Sequence, residues 1–210
     1  MIISKSNDMD NSQIVLVVDD DPDIRRFVAK LMHSVSIRVE TFPSGSEFLK
    51  NYDAEWSGCL VLDVRMPGMT GLQLQSELSS QEIEIPIIFM SADDEISTVA
   101  GAMRAGALDF IPKPLRSQNL LERINEALSS DHHRRLCAAD KRKVDELVAL
   151  LTAREREVLS LLNLGEGTKF IASSLEISSK TVDNHRAKVF EKLGVENAAQ
   201  LVRLINGLSA

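Results

Sequence analysis

The chain has 210 residues, a net charge of −7 and 44% hydrophobic residues, which is enough apolar sequence for one large domain or two modest ones. Its two cysteines, Cys59 and Cys137, lack the spacing of metal ligands and are expected to remain thiols in a reducing compartment. No apolar run is long enough to span a bilayer, so we expect a cytoplasmic protein with no membrane partner.

The charge is distributed unevenly along the chain. Residues 1–128 hold 11 Lys and Arg against 20 Asp and Glu, whereas residues 129–151 and residues 152–210 each carry a net charge of +1. An acidic first part suits a cation site. The nearly neutral last part makes only a weak electrostatic case for nucleic acid, so a DNA-binding prediction must depend on motif and geometry.

Apolar strands and helices alternate through the first part of the chain, after a polar stretch over residues 1–13. The patterns predict strands within residues 14–18, 37–42, 59–62, 83–90 and 109–111. They predict helices over residues 22–34, 44–52, 72–78 and 92–105 and a further helix after residue 115, with Ser44 or Ser46 capping the second. Because parallel strands need crossovers, five such units indicate an α/β fold with a doubly wound parallel sheet.

Polar residues follow the predicted strands, at the edge where the carboxyl ends of parallel strands meet. Asp63 ends the central strand, Asp19 and Asp20 follow the first, Ser91 follows the fourth and Lys113 follows the fifth. Neighbouring carboxylates repel one another, so an oxygen-seeking ion such as Mg²⁺ is the natural occupant. Lys113 supplies a balancing positive charge.

This constellation resembles the receiver domain of bacterial two-component response regulators over residues 12–128, a flavodoxin-like fold with strand order 2-1-3-4-5. The resemblance implies that Asp63 is the phosphoacceptor and that Asp19, Asp20 and the backbone carbonyl of Arg65 help it to hold Mg²⁺. It also implies that Ser91 and Lys113 contact the phosphoryl group. Phe110 falls at the position of a switch aromatic, although simple core packing explains it equally well.

A helical linker is predicted over residues 129–150, because residues 115–164 contain neither Gly nor Pro. A short coiled coil between two protomers is an alternative for this segment. Its apolar pattern lapses in the middle and does not sustain heptads, so a plain helix extending the last receiver helix is favoured.

The last part of the chain, residues 151–210, is predicted to be helical. Thr152 and Glu155 form a capping box for a first helix that ends near Gly165, and two further helices are predicted over residues 168–175 and 179–193. Helix, turn and helix at this spacing is typical of DNA-binding domains, but the same outline also occurs as ordinary helical packing.

Particular residues favour DNA binding. The stretch Leu-Thr-Ala-Arg-Glu-Arg-Glu-Val-Leu over residues 151–159, with Thr-Val-Asp-Asn-His over residues 181–185, resembles the LuxR-type helix-turn-helix. A receiver followed by this domain is similar to response regulators of the NarL/FixJ subfamily. The resemblance implies a transcription regulator and not an enzyme, with a histidine kinase and double-stranded DNA as partners, RNA polymerase as a possible one, and dimerisation on phosphorylation.

On the helix from Ser179, apolar residues share one face and turn a polar face outward. Asn184, Ala187 and Lys188 are the groove candidates, and Thr181 belongs to the same DNA-binding set. Lys180, Arg186 and Lys192 are expected to touch phosphates or only to keep the surface soluble. Asp183 could accept a hydrogen bond from cytosine, but the favoured interpretation is that it stabilises the positive helix end.

Two other functions share some of these sequence features. A haloacid dehalogenase-type phosphatase or phosphotransferase also uses an aspartate nucleophile and Mg²⁺, but its Asp-x-Asp motif is here Asp63-Val64-Arg65, which lacks the second acid. A ligand-sensing LuxR regulator would need an aromatic-lined pocket, and the chain has one Trp and one Tyr.

Overall fold

The computed structural model describes residues 13–92 and 96–207, and the chain divides into two compact units, one ending at His133 and the other beginning at Arg134. In the first unit the strands are β1 (Gln13–Val18), β2 (Arg38–Phe42), β3 (Ser57–Asp63), β4 (Ile87–Ser91) and β5 (Asp109–Pro112). Its helices are α1 (Pro22–Ser34), α2 (Gly45–Asn51), α3 (Gly71–Ser80) and α4 (Ile96–Arg104), together with the first part of α5 (Ser117–Ala149), which continues past His133 into the second unit.

The strands form one parallel sheet in the order β2-β1-β3-β4-β5, which confirms the predicted fold. All residues of β1 and β4 are buried because helices cover both faces of the sheet, and this explains their continuous apolar runs. On one face Leu16, Leu60 and Phe89 pack together in a core cluster, and on the other Val17, Val61 and Met90 pack with residues of α1 and α5. The edge strand β2 keeps exposed side chains, as its alternating sequence predicts.

Several helix boundaries refine the predictions. Ser44 is the N-cap of α2 and accepts a hydrogen bond from the Glu47 amide, which decides between the two candidate caps. The helix predicted over residues 92–105 begins at Ile96, and residues 93–95 of that prediction lie outside the described residues. Residues 1–12 and 208–210 also lie outside them. Helix α5 continues to Ala149, so the helical prediction for the linker is confirmed.

The second unit contains helices α6 (Ala153–Asn163), α7 (Thr168–Ser174), α8 (Ser179–Leu193) and α9 (Ala198–Ile205). Their core includes Val158, Ile171, Val182 and Leu201, each fully buried. Three of these helices were predicted from the sequence, and α9 was not; Asn197 caps α9, and its Leu201 packs into the same core. Among the described residues, no helix is both long and apolar enough to cross a membrane.

Candidate functional site

Three aspartates converge at the carboxyl edge of the sheet, as the strand-end pattern predicted. Asp63 is the last residue of β3 and Asp19 follows β1, the neighbouring strand. One carboxylate oxygen from each of Asp19, Asp20 and Asp63 lies within 4.8 Å of the others. Asp19 and Asp63 are buried, with 0% and 4% of their surface exposed, whereas Asp20 is exposed and leaves the cluster open to solvent on one side.

Lys113 bridges the two buried carboxylates. Its Nζ atom donates to Asp63 Oδ1 over 2.7 Å and to Asp19 Oδ2 over 2.8 Å. Burial raises the pKa of the Asp63 carboxyl, and the hydrogen bond and charge of Lys113 oppose that rise without cancelling it. Burial also disfavours the ammonium of Lys113, but its hydrogen bonds to Asp19 and Asp63 outweigh this effect and raise the pKa of Lys113. The lysine therefore stays charged beside Asp63.

Backbone contacts fix both buried carboxylates. Asp63 Oδ2 accepts from the Arg65 amide over 3.0 Å, and Asp19 Oδ1 accepts from the Asp21 amide over 2.9 Å. The guanidinium of Arg25 donates to the Asp19 carbonyl over 2.6 Å. Arg25 was not among the predicted site residues, and the one sequence signal for it is its place in the first turn of α1, close after Asp19.

A glycine keeps the chain close behind Asp63. A Cβ atom on Gly71 would lie 2.2 Å from the backbone oxygen of Asp63, so only glycine fits at the start of α3 without a shift. The Gly71 amide also donates to the Val64 carbonyl over 3.0 Å. Gly71 therefore packs directly against the backbone of Asp63, a contact that its place just before the predicted helix over residues 72–78 does not reveal.

Ser91 lies on β4, the strand next to Asp63, and Phe110 lies on β5, one strand further out. Ser91 ends β4, is 2% exposed, and its carbonyl accepts from the Lys113 amide over 2.8 Å. Phe110 lies in β5 and is half-buried against the core cluster that contains Phe89. This position is compatible with both a switch aromatic and core packing, so the role of Phe110 stays a prediction.

The acidic cluster fits a hard divalent cation. Carboxylate oxygens are the ligands that Mg²⁺ prefers, and three such groups stand against the single ammonium of Lys113. The exposure of Asp20 leaves room for the water ligands that this ion retains. Asp19, Asp20 and Asp63 would hold the ion, and the Arg65 carbonyl remains a predicted further ligand.

A second candidate surface lies on α8. Its side chains Val182, Val189 and Leu193 are buried, and Lys180, Asp183, Asn184, Ala187 and Lys188 are exposed, which is the arrangement that the helical periodicity predicted. Ser178 caps the helix through the Thr181 amide and also hydrogen-bonds the half-buried Thr181 hydroxyl.

Two charged residues of α8 have partners inside the domain. Thr168 on α7 donates to Asp183 Oδ1 over 3.3 Å, so this carboxylate links α7 and α8. Lys192 is half-buried, and its Nζ atom lies 2.6 Å from Glu155 Oε2 on α6. The Lys192 ammonium is therefore bound within the domain, whereas the predicted phosphate contact would require it to face solvent.

Comparison with known proteins assigns both parts of the chain. Residues 15–125 match the family described as response regulator receiver domain, and residues 149–205 match the bacterial regulatory proteins of the luxR family. The transcriptional regulatory protein TdiR of Thauera aromatica is 40% identical over 198 residues, which are 93% of this chain and 86% of TdiR. FixJ of Bradyrhizobium diazoefficiens is 32% identical over 190 residues, which are 90% of this chain and 93% of FixJ.

Solved structures show the same likeness. The response regulator StyR is 40% identical and superposes with a TM-score of 0.80, covering 93% of this chain and 99% of StyR. Full-length FixJ from B. japonicum is 30% identical with a TM-score of 0.58, covering 95% of this chain and 100% of that one. A receiver joined to a LuxR-family domain defines the class of two-component transcriptional response regulators. The chain belongs to the NarL/FixJ subfamily of that class.

Proposed function

We propose that Asp63 accepts a phosphoryl group from the phosphohistidine of a partner histidine kinase in the cytoplasm, and that this promotes dimerisation and sequence-specific binding to double-stranded DNA. The observation that supports it most is the contact of the Asp63 carboxylate with Lys113 Nζ, beside two further carboxylates at the sheet edge. The domain composition supports the kinase and DNA partners. RNA polymerase is retained as a possible further partner.

The chemistry follows from the charges at the site. A carboxylate oxygen of Asp63 attacks the phosphorus atom, the P–N bond to the kinase imidazole breaks, and the imidazole leaves with its electron pair. Lys113 neutralises negative charge on the phosphoryl oxygens, since its ammonium already touches Asp63. When bound, Mg²⁺ supplies additional positive charge for the same oxygens.

Phosphorylation changes the charge that Ser91 and Lys113 face. The phosphoryl group adds about −1.5 to −2 charges, by analogy with other phosphorylated side chains. Ser91 ends β4 next to Asp63 and can donate its hydroxyl to the new oxygens. Shifting a population from 1:99 to 99:1 needs roughly 5.5 kcal/mol of differential stabilisation. We therefore propose a partial shift that dimerisation completes.

Helix α8 is the proposed DNA-reading element. Asn184 and Lys188 are exposed on the face opposite the buried Val182 and Val189. An asparagine can bond adenine with two hydrogen bonds, and a lysine can reach guanine or a phosphate. Lys180 is a phosphate candidate, Ala187 a site of apolar contact, and Thr181 and Asp183 border this face.

A phosphatase function has less support. The sequence Asp63-Val64-Arg65 places an arginine where dehalogenase-type enzymes have their second acid, and the Arg65 amide bonds Asp63 instead. A response regulator that acts on transcription, not as an enzyme, is therefore the function that the site supports best.

Labelling with a small acyl-phosphate donor tests the phosphoacceptor. Asp63→Asn should take up no phosphoryl group, because an amide is not a nucleophile for this transfer. Asp53→Asn is the matched control, since Asp53 is an exposed aspartate remote from the acidic cluster, and it should label like the wild type. Full labelling of Asp63→Asn would disprove the assignment.

The metal proposal has its own test. Asp20→Ala should weaken Mg²⁺ binding, because it removes an oxygen ligand from a hard-cation site without disturbing the core. Calorimetric titration of wild type, Asp20→Ala and Asp53→Ala measures this. Equal affinity in all three proteins would contradict a role for Asp20.

A further inference from the structure

A charged contact joins α8 to α6 in the second unit. Lys192 Nζ donates to Glu155 Oε2 over 2.6 Å and to the Leu150 carbonyl over 3.2 Å. Glu155 is 3% exposed and lies in the first turn of α6, whereas Lys192 lies in the last turn of α8. The ammonium therefore ties the carboxyl end of α8 to the chain that enters α6.

The partner of Lys192 is itself held in place. Glu155 Oε2 accepts from the Thr152 amide over 2.9 Å, and the Glu155 amide donates to Thr152 Oγ1 over 3.3 Å, which is a complete capping box. Arg156 Nε also donates to the Leu151 carbonyl over 3.1 Å. The carboxylate that receives Lys192 thus has a fixed position and a fixed orientation.

The position of Lys192 places it at the inner margin of the exposed face of α8. At 100° per residue, Lys192 is turned about 80° around the helix from Asn184 and about 40° from Lys188, and it precedes the buried Leu193. Its side chain is 33% exposed, while Asn184 and Lys188 are exposed on the outer face. A lysine that already bonds a buried carboxylate would have to break that bond to reach a phosphate.

We propose that Lys192 is a positioning residue for DNA recognition and not a phosphate contact: through Glu155 it sets the placement of α8 on the domain. This proposal rests on the proposed reading of DNA by α8. It also replaces the sequence-based interpretation of Lys192 as a phosphate or solubility residue. The two roles differ in their salt dependence, because only a lysine that neutralises a phosphate contributes to counterion release.

The test compares Lys192→Met, Lys180→Met and Lys30→Met in the full-length protein. Affinities are measured over a salt series for a duplex that the wild type selects from a random pool and for an unrelated duplex of the same length. Lys192→Met should weaken binding to the selected duplex roughly tenfold, because the reading helix is misplaced. It should leave unchanged both the slope of log affinity against log salt concentration and the affinity for the unrelated duplex. Lys180→Met should weaken binding to both duplexes and reduce the salt slope by about 0.9. Lys30→Met, an equal charge change on α1, should alter neither.

Two further variants keep the test decisive if Lys192→Met folds poorly by circular dichroism. Lys192→Arg keeps a cation for Glu155 and should restore most of the affinity for the selected duplex. Glu155→Gln can keep the capping box but removes the charge, and should reproduce the loss. The proposal is overturned if Lys192→Met, or Glu155→Gln in its place, leaves the affinity for the selected duplex intact. It is also overturned if Lys192→Met lowers the salt slope by about 0.9 and reduces the affinity for both duplexes equally. If Asn184→Ala and Lys180→Met also leave binding unchanged, the reading by α8 itself has failed.

Discussion

Asp63 carries its charge at a cost to the stability of the receiver. Burial raises the pKa of this carboxyl above its ordinary value of 3.8, and Lys113 only partly offsets the effect. A group whose pKa is raised on folding stabilises the fold below its unfolded pKa, and that contribution is lost as the pH rises through the folded pKa. At neutral pH the ionised Asp63 carboxylate therefore makes the receiver less stable than its protonated form would.

Asp63→Asn should consequently stabilise the receiver at pH 7, because the neutral amide avoids the desolvation of a carboxylate. The gain should be lost in acid, below the ordinary pKa of 3.8, because the wild-type carboxyl is then protonated in both the folded and the unfolded protein. Urea unfolding followed by the fluorescence of Trp56, the single tryptophan of the chain, measures both conditions. A lower unfolding midpoint for Asp63→Asn at pH 7 would show that the contact with Lys113 outweighs burial.

Gly71 allows a second prediction at a single residue. Gly71→Ala should lower the free energy of unfolding of the receiver by about 1–3 kcal/mol, because its Cβ atom would press on the Asp63 carbonyl. Gly101→Ala is the matched control, since nothing lies within 4 Å of a Cβ atom there and alanine favours the interior of α4 by about 1 kcal/mol. The same urea titrations measure both, and equal destabilisation of the two variants would contradict the packing argument.

At the scale of elements, helix α8 carries the prediction for DNA recognition. Asn184→Ala should cost roughly 1–3 kcal/mol in binding to the selected duplex and relax the preference at one base position. Lys188→Ala would serve as a comparison on the same exposed face. Binding-site selection with each variant gives the base preferences. Unchanged preferences at every position for Asn184→Ala would mean that α8 docks differently.

The elements also show which parts of the structure the sequence could predict. The strands were recognisable because buried parallel strands are continuous apolar runs, and the strand-end aspartates then had to meet at one edge. Helix α9 was missed, although Asn197 and the apolar residues Leu201 and Leu204 carry a capping and spacing signal. It is short, with 8 residues.

Contacts between distant side chains could not be predicted in the same way. Lys192 and Glu155 are 37 residues apart, so local periodicity carries no information about their contact. The bond from Arg25 to the Asp19 carbonyl likewise depends on a side-chain conformation that a sequence pattern does not specify. The convergence of the strand-end aspartates could be predicted because strand topology brings them together, whereas the contact of Lys192 with Glu155 depends on the three-dimensional packing of α6 and α8.

At the scale of the whole molecule, the chain consists of two compact units, and the second has its own core. We expect the unphosphorylated receiver to restrain DNA binding, so a fragment of residues 143–210 should bind the selected duplex without phosphorylation. The fragment retains every residue of that core cluster, from Leu147 to Ile205. Equal affinity of the fragment and the unmodified full-length protein would exclude restraint and leave dimerisation as the means of control.

The measurement that tests the central claim most directly is the affinity of the full-length protein for its selected duplex before and after phosphorylation of Asp63. Phosphorylation with an acyl-phosphate donor and Mg²⁺ is verified by mass spectrometry, and Asp63→Asn is treated identically. The account predicts that modified wild type binds at least about tenfold more tightly, a coupling of roughly 1.4 kcal/mol, and that Asp63→Asn does not respond. Equal affinity of the unmodified and the fully phosphorylated protein would contradict it.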